Sequence, residues 1–180
     1  MFRYFASLGL GFLLLGIQTL PAAEKRHAHS HVHGIAEMNI VVEGKSVAVE
    51  FRSPGEAIIG FEHEAKSEAE KTKRDAAVKI LKERFAEMVI LDKKLACVPG
   101  LAEVTVVQTD PGGKEAKKSG EHREVRARHT FTCQSDPTGS RVRFGVTKIF
   151  PSVHELKVQV LSGNNQSGAT IKKDKGDVGL

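Results

Sequence analysis

Residues 31–52 read HVHGIAEMNIVVEGKSVAVEFR, and their alternation decides the fold class. Val32, Ala36, Met38, Ile40 and Val42 alternate with His31, His33, Glu37 and Asn39. Successive strand side chains point to opposite faces, so this period of two marks a half-buried strand. Glu43-Gly44-Lys45 is a turn signal. Val47, Val49 and Phe51 then resume the pattern against Ala48, Glu50 and Arg52. Two alternating runs joined by a short Gly-containing turn predict an antiparallel hairpin, closed by Ser53-Pro54-Gly55.

Downstream, residues 56–64 form an apolar, then acidic connector. Ser67 followed three residues later by Glu70 is a capping-box pattern and predicts a helix running to about Met88. Its apolar face is Ala69, Ala76, Ala77, Ile80, Leu81, Phe85 and Met88, with Glu70 and Arg74 as an i,i+4 pair on the other side. Strand-like runs follow at Ala102–Gln108, His122–Cys133, Arg141–Phe150 and Leu156–Leu161, with a short edge run at Ala169–Lys172. Residues 110–120 are a polar Gly/Lys/Ser loop. The order ββαββββ predicts an α+β fold: a mostly antiparallel sheet of about six strands with one long helix on one face.

The chain has 180 residues, 40% hydrophobic, 27% charged and 6% aromatic, a globular balance that suits one domain. Arg3 precedes a charge-free run from Tyr4 to Ala23 whose apolar centre is Leu8 to Ile17. That centre is shorter than the roughly 20 residues of a spanning helix. A positive start, short apolar middle and small-residue exit predict a secretory signal peptide over 1–23. Residues 24–30 read as a flexible His-containing segment and 31–180 as the folded domain. The chain is expected to be exported, with no membrane attachment after cleavage.

Export changes the reading of Cys97 and Cys133, the only two cysteines. An even count in an oxidising compartment predicts a disulfide, which stabilises a loop of this size by roughly 3–4 kcal/mol. With no CxxC, neither a redox dithiol nor a four-thiolate zinc site is available. The net charge of +5 sits largely in Lys-rich loops and tails, without the basic, aromatic-bearing face that nucleic-acid binding needs.

Histidine carries the chemistry. His27, His29, His31 and His33 occupy every second position, and residues i and i+2 of a strand share a face. A His-x-His pair can therefore present two imidazoles to one ion, and imidazole suits zinc, copper and nickel. His31 and His33 lie on the side opposite the apolar positions. Glu62-His63-Glu64 in the connector is a second cluster. His122 and Glu124 lie on the non-core side of their strand, whereas His129 aligns with Phe131 and Cys133 as a packed core histidine. His154 reads as an exposed loop residue.

His31-Val32-His33-Gly34, then Ser53-Pro54, Gly60-Phe61-Glu62-His63, Cys97, His122 before Cys133, and Phe150-Pro151 with Gln166, together resemble the ZrgA-like family of exported, zinc-regulated proteins. The resemblance covers essentially the whole mature chain. It implies a periplasmic zinc-binding protein that contributes to zinc acquisition beside an ABC-type importer or its binding protein. By matching position it implies His31, His33, Glu62, His63, His122 and Glu124 as metal-site residues. Some members carry a long His/Asp-rich stretch where this chain has Pro-Gly-Gly-Lys-Glu-Ala-Lys-Lys-Ser-Gly at 111–120, so a bulk metal reservoir is not expected here.

Histidine with carboxylate and little sulfur favours Zn2+, with other divalent transition metals as alternatives. The expected site joins His31 or His33, His63 and His122, with Glu62 or Glu124 as ligand or support. A zinc-dependent hydrolase and a structural module of the envelope are the competing classes. No HExxH, nucleophile elbow or Ser/His/Asp arrangement supports the first.

Overall fold

The computed structural model describes residues 33–109 and 122–180. The expected signal peptide, the segment 24–30, His31 and the polar loop lie outside the described residues. In chain order the elements are β1 (Ile35–Glu43), β2 (Ser46–Pro54), α1 (Gly55–Ile59), α2 (Glu68–Glu83), α3 (Phe85–Met88), β3 (Val89–Ile90), a 3-10 turn (Lys93–Leu95), β4 (Val98–Thr109), β5 (His122–Thr132), β6 (Arg141–Phe144), α4 (Val146–Ile149), β7 (Glu155–Ser162), β8 (Asn165–Lys172) and β9 (Asp177–Gly179).

The hairpin forms as its alternation predicts. Gly44, at φ 55°, makes the turn, and Met38, Ile40 and Val42 face Phe51, Val49 and Val47 across it. All six are buried. β2 then pairs antiparallel with β5, setting Val47, Val49 and Phe51 against Phe131, His129 and Ala127. One face of the sheet is thereby continuous core, and fully burying each such side chain contributes about 1.5–3 kcal/mol.

The six strands run in the order β4-β5-β2-β1-β7-β8. The sheet is mixed, because β1 and β7 are parallel while its other neighbours are antiparallel. A second sheet, β3-β6-β9, was not expected. It adds Val89, Val142, Phe144 and Val178 to the core.

The expectation of one long helix is corrected. The capping box is present, with Ser67 and Glu70 each accepting from the other's backbone N–H, but α2 ends at Glu83. Arg84 sits at φ −113°, ψ 16°, outside helical geometry, and pairs with Glu87. The chain resumes as the separate turn α3, which buries Phe85 and Met88. Ala77 and Leu81 are the buried residues of α2, while Ala69 and Ala76 are exposed. Glu70 serves the cap, and Arg74 pairs with Asp75 instead.

The run expected as a strand from Arg141 to Phe150 divides at Gly145. The N–H groups of Thr147 and Lys148 donate to the Asp174 carboxylate at 3.0 and 3.1 Å, which satisfies the start of α4 from a distant loop. Cys97 and Cys133 are disulfide-bonded. They tie the start of β4 to the end of β5. No described helix is long and apolar enough to cross a membrane.

Candidate metal site

The hairpin register positions the site. Glu37 stands opposite Arg52 in β1 and β2, and Pro54 opposite Glu124 in β2 and β5. Continuing both registers two residues beyond Pro54 sets Glu56 between His33 and His122, on one end of the sheet. The His33 imidazole indeed meets the Glu56 carboxylate through Nδ1.

The connector then folds back over this end. Gly60 terminates α1 in the left-handed region at φ 95°, which a side chain would disfavour. Phe61 and Glu62 pass close over Gly55, where an added Cβ would lie 2.8 Å from the Phe61 carbonyl oxygen and 3.0 Å from that of Arg123. The missing side chain at 55 thus lets the connector and the start of β5 approach each other. Glu62 is brought onto His122, whose Nδ1 it pairs with.

His33, Glu56 and Glu62 each offer a ligand atom, and these atoms lie within 4.8 Å of one another. A tetrahedral zinc with bonds of about 2.0–2.2 Å holds its ligand atoms roughly 3.3–3.5 Å apart. Each imidazole meets one of the carboxylates through Nδ1, so a ring nitrogen and a carboxylate oxygen, both donor types that zinc takes, stand side by side in each pair. Two carboxylates also balance the charge of a divalent ion, while neutral imidazoles add none. The site is open on one side: the side chains of His33 and Glu56 are 75% and 53% exposed, those of His122 and Glu62 38% and 14%.

The match to known proteins agrees with this chemistry. A family model described as "ZrgA family zinc uptake protein" matches residues 30–180. The chain belongs to the ZrgA family. No curated protein matched the sequence. ZrgA membership indicates a role in zinc acquisition, and the family is one of zinc uptake and not a known enzyme family.

The residues expected at a ZrgA metal site separate in the structure. His33 and Glu62 lie in the cluster, and His122 joins through Glu62. His63 is directed elsewhere. It stacks on Phe61 with ring centroids 4.8 Å apart, its Nδ1 is 2.9 Å from the Glu64 carbonyl oxygen, and its Nε2 is 3.7 Å from Glu70. Those contacts fasten the connector to the start of α2. Glu124 is on the non-core side as expected, yet it is buried and paired with Arg126.

His129 is the core histidine the pattern predicts. It stacks on Phe85 at 3.8 Å and 4°, with Nε2 buried and without a hydrogen-bond partner. Desolvation lowers its pKa, opposed by a hydrogen bond with the Leu81 backbone. Glu56 belongs to the cluster but was not among the expected residues. The two-residue turn at Gly44-Lys45 sets 33 opposite 56 once the hairpin register is extended past Pro54.

Proposed function

We propose that this chain is a periplasmic zinc-binding protein that captures zinc at the end of its main sheet and passes it to an ABC-type importer. His33, Glu56, Glu62 and His122 hold the ion. The observation that carries this reading is the convergence of His33, Glu56 and Glu62 within 4.8 Å, drawn from both ends of the hairpin and from the connector. The His122–Glu62 pair supplies the second imidazole.

The open side suits transfer. A carrier must let an acceptor's donors reach the ion before its own ligands have all left, and an exposed side of the shell allows that. The exposed His33 and Glu56 are where such exchange would begin. Membership of a zinc uptake family supports the same direction. Export behind residues 1–23 completes the reading and is tested by fractionating cells that produce the full chain.

Calorimetric titration of metal-stripped, tag-free protein tests the site. One zinc per chain is expected, with affinity reduced at least tenfold in His33→Ala and in Glu62→Gln. Equal binding by the natural and both substituted proteins would overturn the assignment.

A further inference from the structure

Glu62 and His63 are consecutive, yet they serve different neighbours. Glu62 turns to His122, while the His63 ring turns to the start of α2. Two contacts hold that ring. It stacks on Phe61, and its Nδ1 lies 2.9 Å from the Glu64 carbonyl oxygen. A carbonyl only accepts, so Nδ1 carries the proton and donates it. In the neutral ring Nε2 then presents a lone pair.

What Nε2 faces is the Glu70 carboxylate. Oε2 of Glu70 accepts the N–H groups of Lys66 and Ser67, each at 2.9 Å. Those bonds, that from Ser67 foremost, hold the Glu70 carboxyl below the usual carboxylate range, so it is an anion at neutral pH. They leave Oε1 turned to the ring, 3.7 Å from Nε2. A lone pair and an anionic oxygen repel across such a gap unless a cation stands between them. A proton on Nε2 would draw the two into a charge-assisted hydrogen bond of about 2.7–2.9 Å. The observed gap is longer, and close to the roughly 3.3–3.5 Å between two ligand atoms of a tetrahedral zinc. An imidazole that donates its other N–H to a backbone carbonyl is also the arrangement that orients metal-binding histidines.

We infer that His63 Nε2 and Glu70 Oε1 form a second, weaker zinc site at the start of α2, separate from the one at the end of the sheet. Both side chains are accessible, 55% and 30% exposed, so water completes the shell. With two protein donors in place of four, it fills after the main site. The capping box and the Glu64 carbonyl orient both donors before any ion arrives, which keeps the ordering cost of binding small. The site lies one residue along the connector from Glu62, which places a loosely held ion beside the main site.

Calorimetric titration of metal-stripped, tag-free chain with zinc, continued past the single tight equivalent, tests this. His63→Phe keeps a ring on Phe61 without a donor nitrogen, and Glu70→Gln keeps an acceptor for the capping box. The natural chain should take a second equivalent about tenfold or more weaker than the first. Both variants should lose that second equivalent, keep the tight one within about threefold, and melt at an unchanged temperature without metal. His33→Ala should do the reverse, losing the tight equivalent and keeping the weak one. No second equivalent on the natural chain, or one that persists in either variant, overturns the second site and leaves the proposed main site standing. Loss of the tight equivalent in His63→Phe would place residue 63 in the main site and also overturns the inference. A weak equivalent that depends on His63 and Glu70, with no tight one, overturns the proposed main site alone.

Discussion

His122 and Glu62 stand 60 positions apart in sequence and meet through the imidazole Nδ1 and a carboxylate oxygen. The pair closes the connector over the start of β5. Removing either partner frees the other, so the two act as a unit. His122→Ala and Glu62→Gln should each weaken zinc binding by about tenfold or more, at least the loss seen when a group supporting a metal ligand is removed. The double variant should be weaker than either single by much less than the product of the two losses. Calorimetric titration of the four proteins measures this, and full additivity would show that the residues act separately.

Glu56 and Glu124 divide by role. Glu56→Gln should cost zinc affinity about tenfold or more and leave the melting temperature nearly unchanged, because its carboxylate is exposed. Glu124→Gln should do the reverse. It leaves Arg126 without its carboxylate partner, at about 1–3 kcal/mol of stability, and zinc affinity should stay within about threefold. Titration and thermal melts of both variants decide between them.

The Cys97–Cys133 bridge joins the edge strand β4 to β5. Replacing both cysteines by alanine should destabilise the protein by about 2–5 kcal/mol in urea unfolding. Thiol titration of the unfolded, unreduced protein should find no free thiol. Two thiols per chain would contradict the bridge.

His129 makes stability fall with acid. Burial lowers its pKa below the ordinary 6.5, so the folded chain resists a proton that the unfolded chain accepts. At pH above 6.5 both states are neutral and the group contributes nothing. As pH falls below that value, the unfolded state gains the proton first and stability declines, levelling only below the folded pKa. Melts of metal-free protein from about pH 7 to about pH 5 should show this decline. His129→Phe, which preserves the stack on Phe85, should flatten it. Carboxylates such as Asp177, held below the usual range by the hydrogen bond from Arg141, act only at lower pH.

Most of the main sheet was legible where physics is local. Alternation in β1 and β2 named the buried residues, and Ser67 with Glu70 named the start of α2. The departures all depend on distant partners. The break at Arg84 carries no Gly or Pro signal. The helix at Val146–Ile149 is set by Asp174, and the parallel pairing of β1 with β7 follows from where the chain returns after β6 and α4. The site shows the same division. His33 and the Glu62 segment are visible as residue types, whereas the place of Glu56 needs the hairpin register and the contacts of His63 with Phe61 and Glu70 need the fold.

A crystal structure of the zinc-loaded protein with anomalous data at the zinc edge tests the central claim most directly. The account predicts one strong peak at the end of the sheet, bonded at about 2.0–2.2 Å to donors drawn from His33, Glu56, Glu62 and His122. A fully occupied zinc elsewhere, with the His33–Glu56 and His122–Glu62 pairs unchanged and empty between them, would contradict it.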